Sequence, residues 1–171
     1  MSIQSKRKWS PNEFSADLAT RNFGHGPVVI GIDGADDVHG PALRVAVGLS
    51  RALTRPLLLV HVRRRIMPAI VDYMPIPEHL GAAEAAEDAV EARIYIALAS
   101  MELLEGARWE LRCPTGQPAK AIVKVASECD AALVVVGKRP NSFIELLRRT
   151  AAGSVARAVV AAQEFPVLIV P

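Results

Sequence analysis

Three short stretches of this sequence combine residue types that suit a phosphorylated ligand. Asp33-Gly34-Ala35-Asp36-Asp37 follows the apolar run Val28-Val29-Ile30-Gly31-Ile32, Gly137-Lys138-Arg139-Pro140 follows Ala132-Leu133-Val134-Val135-Val136, and Gly153-Ser154 opens a helix-length stretch. An acidic side chain accepts hydrogen bonds from a sugar or a base. Glycine lets a backbone N–H come close to a phosphate, and lysine and arginine supply the opposing charge. A helix opening adds N–H groups where the dipole favours an anion. Each feature alone is weak. Gathered at one crevice, they point to a nucleotide.

The elements that would gather them are legible as two alternating textures. Val28–Ile32, Leu57–Val60, Ala132–Val136 and Val167–Val170 are nearly continuous apolar runs, as strands buried on both faces are. Between them lie helix-length stretches. Pro41–Thr54 carries Leu43, Ala46, Val47 and Ser50 on one stripe. Glu78–Glu105 spaces Ala83, Val90, Ile94, Leu98, Met101 and Leu104 by sevens, fours and threes, and Pro118–Cys129 sets Ile122, Val125, Ala126 and Cys129 on one face. Ser154–Ala162 follows a good N-cap residue type. Ala107–Cys113 differs: apolar and charged residues alternate strictly, the mark of an edge strand with one wet face. Right-handed crossovers turn this order into an α/β fold of the flavodoxin-like or Rossmann-like kind. It is a five-stranded parallel sheet in the order 3-2-1-4-5 with helices on both faces. Ligands bind such sheets beyond the carboxyl ends of the strands where the winding reverses, here between the first and fourth strands.

Length and composition exclude several alternatives. A chain of 171 residues, 51% hydrophobic, predicts one domain with a real core. Residues 1–26 are polar, lack apolar periodicity and are expected to form a flexible arm, leaving 27–171 as the domain. Twenty basic against eighteen acidic residues leave a charge of +2, no footprint for a nucleic acid. Cys113 and Cys129 have no second pair, which excludes a zinc site or disulfide scaffold as the organising principle. The basic cluster Lys6-Arg7-Lys8 has no apolar run behind it, and no run approaches the roughly 20 residues of a membrane span. A cytoplasmic protein without membrane contact is expected. The apolar last strand, Val167–Val170, leaves a sheet edge that a homodimer would cover.

With these residues in view, the sequence resembles the universal stress proteins over about Pro27 to Pro171. Val29-Ile30-Gly31-Ile32-Asp33-Gly34 looks like the family's first strand, and Leu58-Leu59-Val60-His61-Val62 is similar to its second, which ends in His-Val. Gly116-Gln117-Pro118 resembles its Gly-x-Pro helix opening, and Asp130–Arg139 its fourth strand and phosphate turn. Gly153-Ser154-Val155 and Phe165-Pro166-Val167-Leu168-Ile169-Val170 are similar to its closing helix and strand. The resemblance implies a stress-response regulator that binds ATP or a related adenine nucleotide, with Mg as a companion ion. It carries Asp33 and the backbone of Val62 to the adenosine moiety, and Gly137, Gly153, Ser154 and Val155 to the phosphates. Gly31, Ile32, Val136, Lys138 and Arg139 complete the candidate site.

The sequence departs from the nucleotide-binding motif Gly-x2-Gly-x9-Gly-Ser/Thr at two points. Pro140 stands where the second glycine belongs, and the spacer Asn141–Ala152 has twelve residues rather than nine. Proline fixes φ and has no N–H to give a phosphate. A lost hydrogen bond to a charged group is worth roughly 1.5–3 kcal/mol. Lys138, Arg139, Arg148 and Arg149 offer compensating charge. The alternative is therefore a nucleotide-free dimer of the same family acting through protein partners. A nucleotide hydrolase or transferase is the third reading and has the least support. There is no Gly-x-Ser-x-Gly elbow or Walker stretch, and no histidine beside Ser154 to act as its base. Asp36-Asp37 suits either magnesium or the start of a helix. Arg63-Arg64-Arg65 reads as a solvated loop, His61 as a hydrogen-bonded structural residue, and Ile66–Pro77 as a candidate lid.

Overall fold

A computed structural model describes residues 24–63, 77–137 and 165–171. The strands are Val28–Ile32 (β1), Leu57–His61 (β2), Trp109–Arg112 (β3), Leu133–Gly137 (β4) and Val167–Val170 (β5). They form one parallel sheet in the order β3-β2-β1-β4-β5, as expected. Every residue of β2 is buried, and β1 and β4 are buried along most of their length. Cover on both faces is why these strands read as unbroken apolar runs. β3 pairs with β2 alone. Its Trp109 and Leu111 turn to the core, while Arg112 and Glu110 pair at 2.7 Å on the opposite face. The alternation is the edge itself.

The helices among the described residues are Pro41–Ala52 (α1), Pro77–Ala99 (α2) and Pro118–Glu128 (α3). α1 and α3 each begin on a proline, whose fixed φ suits a first turn and whose missing N–H costs nothing there. α1 buries Leu43, Ala46, Val47 and Ser50. With Ile94 and Leu98 of α2 it covers the face formed by Val28, Ile30, Leu57 and Leu59. α3 sets Ile122, Val125 and Ala126 on the other face, against Val29, Leu58, Val60, Val134 and Val136. Helices thus lie on both faces, as right-handed crossovers in this strand order require.

α2 is shorter than the stretch Glu78–Glu105. It stops at Ala99, where the Ser100 hydroxyl donates to the Ala97 carbonyl at 3.0 Å and Met101 turns extended. A 3-10 turn, Glu102–Leu104, follows. Leu104 still enters the same core, so its helical spacing carried across a break in the backbone. Just ahead of β1, His25 N–H donates to Asp130 Oδ2 at 2.8 Å and Gly26 N–H to the Asp130 carbonyl at 2.7 Å. This ties the approach to β1 against the turn after α3. Residues 1–23 of the expected arm, most of the candidate lid and the expected helix Ser154–Ala162 lie outside the described residues. No helix among the described residues is long and apolar enough to cross a membrane.

Candidate functional site

The crevice is built where β1 and β4 end. Gly31 is in register with Val136, so Ile32 and Gly137 finish side by side and the chain leaves β1 through Asp33. Asp33 is exposed. Its N–H donates to Asp37 Oδ2 at 2.9 Å, and the Asp37 N–H donates to the Gly34 carbonyl at 3.2 Å. These bonds close a 3-10 turn, Ala35–His39, that buries Val38 and leaves Asp36 and His39 exposed. One Asp37 carboxylate oxygen is therefore committed to shaping the loop. Reasoning from the sequence missed this bond, which depends on how the loop folds back on itself.

Two glycines of the site are explained by packing. A β-carbon on Gly137 would stand 3.3 Å from the Ala42 β-carbon, so the first turn of α1 lies close against the end of β4. A β-carbon on Gly31 would meet Ile122 Cδ1 at 2.8 Å. The space above Gly31 thus belongs to α3. Val136 and Val62 are buried on that same face, Val62 just past the end of β2. The structure brings Gly31, Ile32, Asp33, Val62, Val136 and Gly137 to the carboxyl ends of three adjacent strands. Lys138, Arg139, Pro140, Arg148, Arg149, Gly153, Ser154 and Val155 lie outside the described residues.

Around this core, the charged groups are largely engaged with one another. His61, 3% exposed, places Nδ1 at 3.3 Å from the Ile32 carbonyl and Nε2 at 4.0 Å from Glu87 Oε2. Arg63 does not behave as part of a solvated run. Its guanidinium bonds Asp88 and lies 3.5 Å from Glu91, and these carboxylates push its pKa up. The Arg63 N–H donates to the Pro114 carbonyl at 2.9 Å, and its own carbonyl accepts from Gly116 at 3.2 Å. Gly116 holds φ at +148°, a region side chains avoid, which accounts for glycine at the start of Gly116-Gln117-Pro118. Burial, followed by the charge of nearby Glu91, pushes the Cys113 thiol up to about 12. A thiol held that high is no nucleophile at neutral pH. A groove of about 820 Å³ between α2 and β3 is lined by Arg63, Asp88, Tyr95, Trp109 and Leu111. Among the described residues, no group of three or more His, Cys, Asp or Glu side chains is placed to hold a metal ion.

The winding order, which reverses between β1 and β4, defines a flavodoxin-like α/β domain. Residues 25–171 match the universal stress protein family, and the chain belongs to that family. Among solved structures it is similar to a universal stress protein in complex with cAMP, at 25% identity and TM-score 0.52, covering 86% of this chain and 97% of that one. The universal stress protein from Archaeoglobus fulgidus is similar at 25% identity and TM-score 0.50, covering 86% and 94%. Universal stress protein UspA from Lactobacillus plantarum shares the fold at 18% identity and TM-score 0.65, covering 88% and 100%. Among curated proteins, none matches this chain.

Proposed function

We propose that this chain binds ATP or a related adenine nucleotide in the crevice between β1 and β4 and acts as a nucleotide-dependent regulator in stress response. The observation that carries the reading is Asp33: an exposed carboxylate at the tip of β1, on a loop closed by Asp37, one strand away from Gly137. Support comes from the similar family member, 25% identical, whose structure holds cAMP. In this reading Asp33 and the Val62 backbone receive the adenosine part. Gly137, Lys138, Arg139, Gly153, Ser154 and Val155 receive the phosphates. Magnesium would accompany a triphosphate, with the exposed Asp36 carboxylate on the loop after β1 as a donor. The protein works in the cytoplasm as a homodimer joined through β5, and its output passes to protein partners. Catalysis is no part of the proposal.

Titration calorimetry with ATP tests it. The reading predicts saturable binding that Asp33→Ala weakens by about tenfold or more, the cost of one hydrogen bond to a charged group. Equal affinity in the parent and Asp33→Ala would remove this site. A parent that gives no heat would favour the second reading, motivated by Pro140 and the long spacer: a nucleotide-free family member acting through partners.

A further inference from the structure

His61 is buried, yet its Nε2 has no hydrogen-bond partner among the described residues. Buried polar atoms are partnered as a rule, so an orphan directly beneath a ligand crevice calls for a role. The ring lies between two elements. On one side is the carbonyl of Ile32, the residue that sets the position of Asp33; on the other, 4.0 Å from Nε2, is Glu87 of α2. The other charged groups nearby are occupied or turned outward. Asp88 and Glu91 of α2 engage Arg63, two residues past the end of β2. In the 3-10 turn that α2 packs on, Asp37 holds the Asp33 N–H, while Asp36 and His39 are exposed. From α1, Arg44 and Arg51 are exposed.

We propose that His61 is a positioning residue for the candidate site, coupling α2 to the tip of β1 according to its own protonation. A proton taken from water at Nε2 creates a charged donor facing the Glu87 carboxylate. The two are about 1 Å short of a charge-assisted hydrogen bond. The same charge strengthens the Nδ1–H bond to the Ile32 carbonyl. Protonation of His61 therefore draws α2 onto β2 and steadies Asp33. The consequence for ligand affinity rests on the nucleotide reading above; the movement at Asp33 does not.

The test follows the Asp33 amide by NMR in the full chain between about pH 5 and 8. It is done in a His39→Gln background, which removes the exposed imidazole closest in sequence. Asp33 is expected to follow the His61 ring through one transition that His61→Asn abolishes and Glu87→Gln diminishes. Adenosine, which has no group titrating in this range, then serves as the binding probe. Its affinity is expected to rise about three- to tenfold on acidification in the parent and to stay level in His61→Asn. An Asp33 amide that ignores the His61 ring, or follows it identically in Glu87→Gln, overturns the inference even where adenosine binds. An amide that follows His61 in a chain that binds no adenosine supports the coupling and defeats the nucleotide reading alone.

Discussion

Ile122 of α3 stands over Gly31 of β1 so closely that a β-carbon there would lie 2.8 Å from Ile122 Cδ1. Ile122 is itself 4% exposed and hemmed in by Val125 and Ala126 of its own helix. Gly31→Ala is expected to cost about 1–2 kcal/mol by overpacking. Ile122→Val, which deletes Cδ1, should recover most of that loss in the double variant. Thermal or denaturant unfolding reads both. Losses that simply add would contradict the packing account.

Cys113 offers a pH prediction whose sign is settled by burial. The folded thiol titrates at about 12 against an ordinary 9.0, so between those values the folded state holds a proton that the unfolded chain releases. Its contribution to stability is complete below pH 9.0 and is lost as the pH climbs towards about 12. At pH 8 the folded thiol should alkylate roughly a thousandfold more slowly than the unfolded one. Iodoacetamide kinetics on a Cys129→Ser variant, with and without denaturant, checks this. Equal rates would mean that the thiol is not sheltered.

How much of this was legible in the sequence depended on the range of the interaction. The stripe Leu43, Ala46, Val47 and Ser50 is read from periodicity because one helix face meets one sheet. The alternation from Ala107 to Cys113 was legible because Trp109 and Leu111 pack on the core while Glu110 and Arg112 pair on the other face. Leu104 misled because burial in a common core does not require a continuous helix. The Asp37–Asp33 bond depends on a turn geometry that composition does not specify. The His61–Glu87 approach joins residues on separate elements and exists only once α2 has docked. Arg63, in a run of three arginines, showed nothing of Asp88 and Glu91 waiting on that same helix.

The proposed dimer predicts a specific weakness at β5. Leu168 and Ile169 are 39% and 47% exposed in the single chain, on an edge strand with one side unpaired among the described residues. Ile169→Lys should weaken self-association by about thirtyfold or more, because it buries a charge in the interface. Sedimentation velocity across a concentration series measures it. A parent that is monomeric throughout the series contradicts the β5 interface.

Pro140 is the residue at which nucleotide affinity should be most easily improved. Pro140→Gly restores an N–H and the freedom of φ, and ATP should bind about tenfold more tightly. Ser154→Ala should weaken ATP binding in both backgrounds. No change in affinity on Pro140→Gly would mean that the phosphates do not pass this loop.

The most direct test of the central claim is to denature freshly purified protein and identify any released nucleotide by chromatography. An adenine nucleotide is expected in near-stoichiometric amount, with depletion in Asp33→Ala. Parent protein that releases nothing, and takes up no ATP when it is offered, would contradict nucleotide binding and leave the β5 dimer and its partners as the basis of function.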